Sequence, residues 1–171
     1  MGFNLETFTL LHVVLSLVGI ASGFVCAFGW LTGRRFDGWT TVFLVTTAAT
    51  SVTGFGFPFH KILPSHIVGM LSLAVLAGAV VSRRLRLPAG ASALLFVSTA
   101  MVALYFNIFV LIAQAFQKVP ALETLAPTQS EPPFVIVQAI VLVVFGALAV
   151  VAARRARQRA STPLAARTPG R

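Results

Sequence analysis

The sequence predicts an all-α integral membrane protein, a five-helix transmembrane bundle with its N-terminus outside and its C-terminus cytoplasmic. Three observations lead there. The mean hydropathy is +0.92 and only 10% of the 171 residues are charged, against roughly a quarter in soluble domains. Apolar runs of about 20 residues, enough to cross roughly 30 Å of hydrocarbon, recur along the chain. The basic residues also fall on alternate connections between those runs, as the positive-inside rule requires. Strands of a β-barrel would need strict alternation over about ten residues, which these runs lack.

The first run, about 8–31, contains no charge and stops at TGRRFDGW. No basic segment precedes it and no A-x-A-like site follows, so it reads as a span and not as a cleaved signal peptide. The second, about 39–57, is rich in threonine and closes at the turn PFHKILPS. The third, 62–82, ends in RRLRLP, and the fourth, 89–116, is long enough to require tilt or a protruding end. A proline-rich connection, QKVPALETLAPTQSEPPF, follows and reads as an ordered cap without a helix. The fifth run, 134–153, stops before ARRARQR. Residues 1–153 are therefore expected to form one bundle, and 154–171 a disordered, basic, cytoplasmic tail.

Charge sets the direction. With loops on alternating sides, Arg34, Arg35, Arg83, Arg84, Arg86 and the six arginines from Arg154 onward share one side, while Lys61 and Lys118 lie on the other. The basic side is cytoplasmic, which places the chain in the cell inner (plasma) membrane with the lipid bilayer as its first partner. Glu6, Glu123 and Glu131 fall outside and only Asp37 inside. The net charge of +9 does not point to nucleic acid, because no aromatic residues interleave the tail arginines to stack on bases. A single cysteine, Cys26, excludes an internal disulfide and any CxxC metal or redox motif.

Between lipid-bathed helices, association relies on close packing and hydrogen bonds, so small and polar residues mark the protein-facing side. In the first span His12, Ser16, Gly19, Gly23 and Cys26 recur at steps of four and three and form one stripe. In the second, Thr46, Thr50 and Thr53 share a face, which serves packing or a hydroxyl-lined path. Tyr105, Asn107 and Gln114 on the fourth span and Gln138 on the fifth lie in the same half of the membrane as the histidines. Hydrogen bonding between helices accounts for each alone; together with His60 they make a candidate ligand-binding set.

Histidine is the only chemistry on offer. His12 lies one turn into the first span, His60 in the outer turn, and His66 in the first turn of the third span, where Pro64 and Ser65 start a helix. Both His12 and His66 sit near helix N-termini, where the dipole favours the neutral imidazole that ligates a metal ion or haem. Three readings follow: metal or haem ligation by His12 and His66, hydrogen bonding to an apolar small molecule such as a quinone, or interfacial residues that hold the turn. The spacing H-x5-H is not a metal motif, and no catalytic constellation appears: no G-x-S-x-G, Walker loop or paired carboxylates.

The stretches LHVVLSLVGIASGF, TSVTGFGFPF, LPSHIVG and APTQSEPPF resemble small bacterial multi-pass membrane proteins across most of residues 8–150. That resemblance implies a helical bundle in a bilayer and transfers no activity. Three function classes remain. The first is a non-catalytic membrane module, either a subunit of a larger complex or homo-oligomer, or a small-molecule binder. The second is a redox protein with haem or a metal ion on His12 and His66. The third is a small transporter, disfavoured because no acid or base lies near the midplane to couple ions.

Overall fold

The computed structural model describes residues 4–57, 64–85 and 87–161; the side chains of residues 64–66 and 161 lie outside that description. Six α-helices account for almost all of it: α1 (Leu5–Thr32), α2 (Asp37–Gly54), α3 (Pro64–Arg84), α4 (Ala89–Lys118), α5 (Pro120–Glu123) and α6 (Pro132–Ser161). Four are long and apolar enough to cross a membrane: α1, α3 from Ile67, α4, and α6 to Ala160. The remaining long helix, α2, has 18 residues, but six threonines, a serine and Asp37 dilute its apolar content.

The helix ends follow local chemistry. At α1 the Asn4 side chain accepts from the Glu6 N–H, and Glu6 adds a negative charge to the first turn. Gly33 ends the helix at φ 75°, and the Arg34 N–H donates to the Gly29 carbonyl at 2.8 Å. A left-handed residue is needed there to turn the chain within four residues into α2, and glycine adopts it without strain. Pro88 precedes α4, and Pro132 and Pro133 open α6, where a missing N–H costs nothing.

The short turn makes α1 and α2 an antiparallel hairpin paired along its whole length. A side chain at Gly19 would meet the hydroxyls of Thr46 and Thr47, one at Gly23 would meet Phe43, and one at Gly29 would meet Phe36. The Cys26 Sγ lies 3.6 Å from the Thr40 Oγ1. Each step up α1 is matched by an equal step down α2, and the small-residue stripe lies on this seam.

Helix α4 is the hub: it packs against α1, α2, α3 and α6. Its inner face, with Phe96, Val97, Ala100, Met101, Ala103, Leu104 and Ile108, supplies the largest share of the core, and Phe43, Cys26, Leu76 and Phe145 pack in the same cluster. Among the described residues α1 and α3 do not touch; each packs on α2 and α4 instead.

The bundle has a histidine end and an arginine end. At the latter Trp30 packs edge-on to Phe96 with ring centroids 6.0 Å apart, and the Arg83 guanidinium lies 4.0 Å over the same Phe96 ring. The Arg155 side chain donates to the Leu31 carbonyl, and Arg159 donates to the Gly33 carbonyl and, at 3.2 Å, to that of Thr32. These guanidiniums meet the carbonyls that α1 leaves unpaired at its negative end.

Two segments differ from the sequence expectation. Helix α6 runs to Ser161, so the first part of the basic segment is helical; alanine, arginine and glutamine are good helix formers and nothing interrupts them. Residues 162–171 lie outside the described residues. The connection after α4 is ordered but carries a turn of helix, α5, begun by Pro120.

Its far end is pinned by Glu131, whose carboxylate accepts from the N–H groups of Thr128 and Ser130 and from the Thr128 hydroxyl. Some desolvation pushes this carboxyl up, but the Thr128 hydroxyl and the surrounding backbone N–H groups outweigh it and hold the pKa below the usual carboxylate range. A depressed carboxylate stabilises the fold above its unfolded pKa, and that contribution is lost as pH falls through the folded value. The turn 128–131 should therefore exchange its amide hydrogens slowly at neutral pH and faster once Glu131 is protonated. Glu131→Ala should reproduce the fast exchange at pH 7, with rates normalised to the unstructured peptide. Equal protection in both proteins would show that the carboxylate does not hold the turn.

Candidate functional site

His12 is half-buried and projects from α1 toward the last turn of α2. Its Nδ1 lies 2.8 Å from the Thr53 Oγ1. The Thr53 hydroxyl in turn donates to the Ala49 carbonyl at 2.8 Å, the one-turn back-bond that threonine forms readily in helices. The imidazole stands edge-on to Phe57, with ring centroids 5.1 Å apart at 90°, and Phe57 also meets Phe8 at 5.0 Å. A Cβ at Gly54 would lie 3.7 Å from the His12 Cε1, and one at Gly56 would strike Phe8. Gly56 thus lets the exit of α2 approach α1 closely enough for this cluster to form, while Gly54 has room for an ordinary contact.

Polar groups continue along the same seam away from the histidine end. Thr50, one turn along α2 from Thr53, has a buried hydroxyl without a hydrogen-bond partner. One turn further, the buried Thr47 accepts a 3.0 Å bond from the Asn107 side-chain amide on α4. Beyond that level Phe43, Leu104 and Gly23 close the interior with apolar contacts. An apolar layer thus separates the polar groups at the histidine end of the seam from the Cys26–Thr40 contact further along.

The other expected site residues separate from this seam. Gln138 on α6 is buried, donates to the Phe109 carbonyl at 3.1 Å, and leaves its Oε1 without a partner. Tyr105 faces the same side of α4, with its ring beside Phe106, Phe109 and Phe145. Gln114 is half-buried near the end of α4. His60 lies outside the described residues; His66 occupies the first turn of α3, but its side chain lies outside them. The structure thus joins His12 to α2 and Asn107 to α2, and joins Gln138 to α4 on the opposite flank.

Sequence reasoning passed over Thr53 as a partner of His12. The signal was present, because a short turn at Gly33 fixes which residue of the second helix stands opposite each residue of the first. It also passed over Gln129, at φ 58°, whose amide donates to the Ala113 carbonyl at 2.7 Å and ties the connection to α4. Ser72, the second buried hydroxyl without a hydrogen-bond partner among the described residues, lies on α3. Among the described residues no group of three or more His, Cys, Asp or Glu side chains is placed to hold a metal ion. The chain matches no family model, no curated protein and no solved structure.

Proposed function

We propose that this protein is a non-catalytic, small-molecule-binding module of the cell inner membrane, with five spans, its histidine end outside and its arginine end cytoplasmic. Helices α1 to α6 form the bundle, and the basic stretch that begins at Arg154 lies on its cytoplasmic side. Support for α2 as the fifth span is its full-length pairing with α1, which carries it through the same depth. Of the threonine hydroxyls that lower its apolarity, those of Thr40, Thr41, Thr46 and Thr53 return their protons to backbone carbonyls one turn back, which makes them tolerable in lipid. Support for the orientation is the gathering of Arg34, Arg35, Arg83, Arg84 and the α6 arginines at one end.

The observation that carries the binding reading is the His12–Thr53–Ala49 relay. With the Thr53 proton on the Ala49 carbonyl, the Thr53 oxygen accepts from the His12 Nδ1–H. In the neutral form, which the positive end of the α1 dipole favours, the imidazole then presents the lone pair of Nε2 as an acceptor. A ring hydroxyl, as on a hydroquinone, is the matching donor, and its apolar ring suits the surroundings of Phe8 and Phe57. The same fixed tautomer is the form that ligates haem iron or a metal ion, which keeps ligation by His12 and His66 as a second reading.

Both readings are tested on protein purified in mild detergent. Absorption and metal analysis come first, followed by melting with a short-chain hydroquinone and with the corresponding quinone. The hydroquinone should raise the melting temperature of the wild type and leave His12→Leu unmoved. Absence of a shift in the wild type would end the hydroquinone reading. A Soret band or stoichiometric metal that disappears in His12→Leu would establish the second.

A further inference from the structure

We propose that Arg154 and Arg157 form a headgroup site for an anionic phospholipid whose acyl chain lies along the exposed face of α6. On this helix Ile136, Ile140, Val143, Ala147 and Val150 recur at steps of four and three, and every one of them is exposed. The next two positions in the same progression are Arg154 and Arg157, also exposed. One helical face therefore passes directly from apolar side chains to two guanidiniums, at the depth where a bilayer passes from acyl chains to phosphates.

The α6 arginines divide into two pairs with different tasks. Arg155 and Arg159, one turn apart, face the bundle and bond the Leu31, Thr32 and Gly33 carbonyls. Arg154 and Arg157 face away, and among the described residues neither has a hydrogen bond or ion pair. Of the four acids in the chain only Asp37 belongs to this end, so the local field is positive. A phosphodiester supplies the oxygens that a guanidinium binds in bidentate fashion.

The arginines also decide between occupants of this face. Parallel pairing of two copies through the stripe would bring four guanidiniums together at its end, a like-charge contact that opposes self-association. An anionic lipid neutralises the same groups. The inference rests on the proposed orientation only for which leaflet provides the lipid.

The test uses the full chain in a mild uncharged detergent, titrated with phosphatidylglycerol, with phosphatidylcholine of the same chain length, and with inorganic phosphate; thermal melting is the readout. Phosphatidylglycerol should raise the melting temperature of the wild type, and the effect should shrink at high salt. Arg154→Gln with Arg157→Gln should melt like the wild type without lipid and bind phosphatidylglycerol roughly 30-fold more weakly, on the scale of about one basic-residue contact each. Arg155→Gln with Arg159→Gln should melt lower yet keep the lipid response. The proposal fails if the first pair keeps the full response or if phosphatidylcholine acts equally well. It fails too if inorganic phosphate alone reproduces the shift, or if Val143→Cys crosslinks efficiently to a second copy in the presence of the lipid.

Discussion

Gly23→Leu is expected to destabilise the bundle by about 3 kcal/mol, the upper part of the range for overpacking a well-filled interior. A Cβ at Gly23 would lie 2.5 Å from the Leu104 Cδ1 and 3.0 Å from two ring carbons of Phe43. Leu104 and Phe43 are themselves fully buried, so neither has room to retreat. The added side chain must therefore push α1 away from α2 and α4, and the seam of contacts from Gly19 to Gly29 opens with it. Val14→Leu is the control: Val14 is 48% exposed on the opposite face, where an extra methylene meets only lipid. Unfolding in a graded mixture of mild and harsh detergent should separate the two variants widely. Coincident curves would remove Gly23 from the packing core.

Phe43→Ala acts on the same contact from the other side. The Phe43 ring is the largest fully buried side chain among the described residues. In a soluble core such a truncation costs about 3–5 kcal/mol, part of it transfer from water and part the cavity left behind. A helix that separates from its neighbours within a bilayer exposes the ring to lipid instead of water, so the transfer part largely vanishes and about 2–3 kcal/mol of lost packing remains. Combining the two substitutions distinguishes a shared contact from two independent defects. A leucine at 23 can enter the space the ring vacated, so the double variant should be more stable than the summed single effects by about 1 kcal/mol or more. Strict additivity would show that the two residues do not share the space.

Long apolar runs and the residues that interrupt them made the four strongly apolar helices legible to within a few residues, because both length and composition are dictated by a bilayer. The exceptions have local causes. Ala-Arg-Arg-Ala-Arg-Gln-Arg reads as a tail by charge, yet charge does not oppose helix in a segment of good helix formers that begins on an existing template. The site was less legible. A stripe on α1 says which side of the helix meets protein, and Gly19, Gly23 and Cys26 do so. It does not say which helix lies there. The His66 side chain lies outside the described residues, and the partner the structure gives His12 is on α2. The four-residue turn at Gly33 is the stronger constraint, since it places α2 against α1 and puts Thr53 opposite His12. Asn107 and Gln138 were visible as polar residues in apolar runs, but their partners, Thr47 and a backbone carbonyl, follow from helix order around α4, which no single span encodes.

The position of α4 also bears on how the chain is made. Ribosomes deliver the helices to the membrane in order, so α1, α2 and α3 emerge before the helix on which all three pack. The α1–α2 hairpin can zip as soon as Thr53 leaves the translocon, because both halves of its seam are then present. Its inner surface stays incomplete: Thr47 lacks the Asn107 amide, and Gly23 has Phe43 but no Leu104 across from it. Until about residue 107 has been synthesised, that surface needs a temporary neighbour, either lipid or an insertion chaperone that shields hydroxyl-bearing helices. Arrival of α4 displaces it, and the arginines of α6, translated after α4, close on the end of α1.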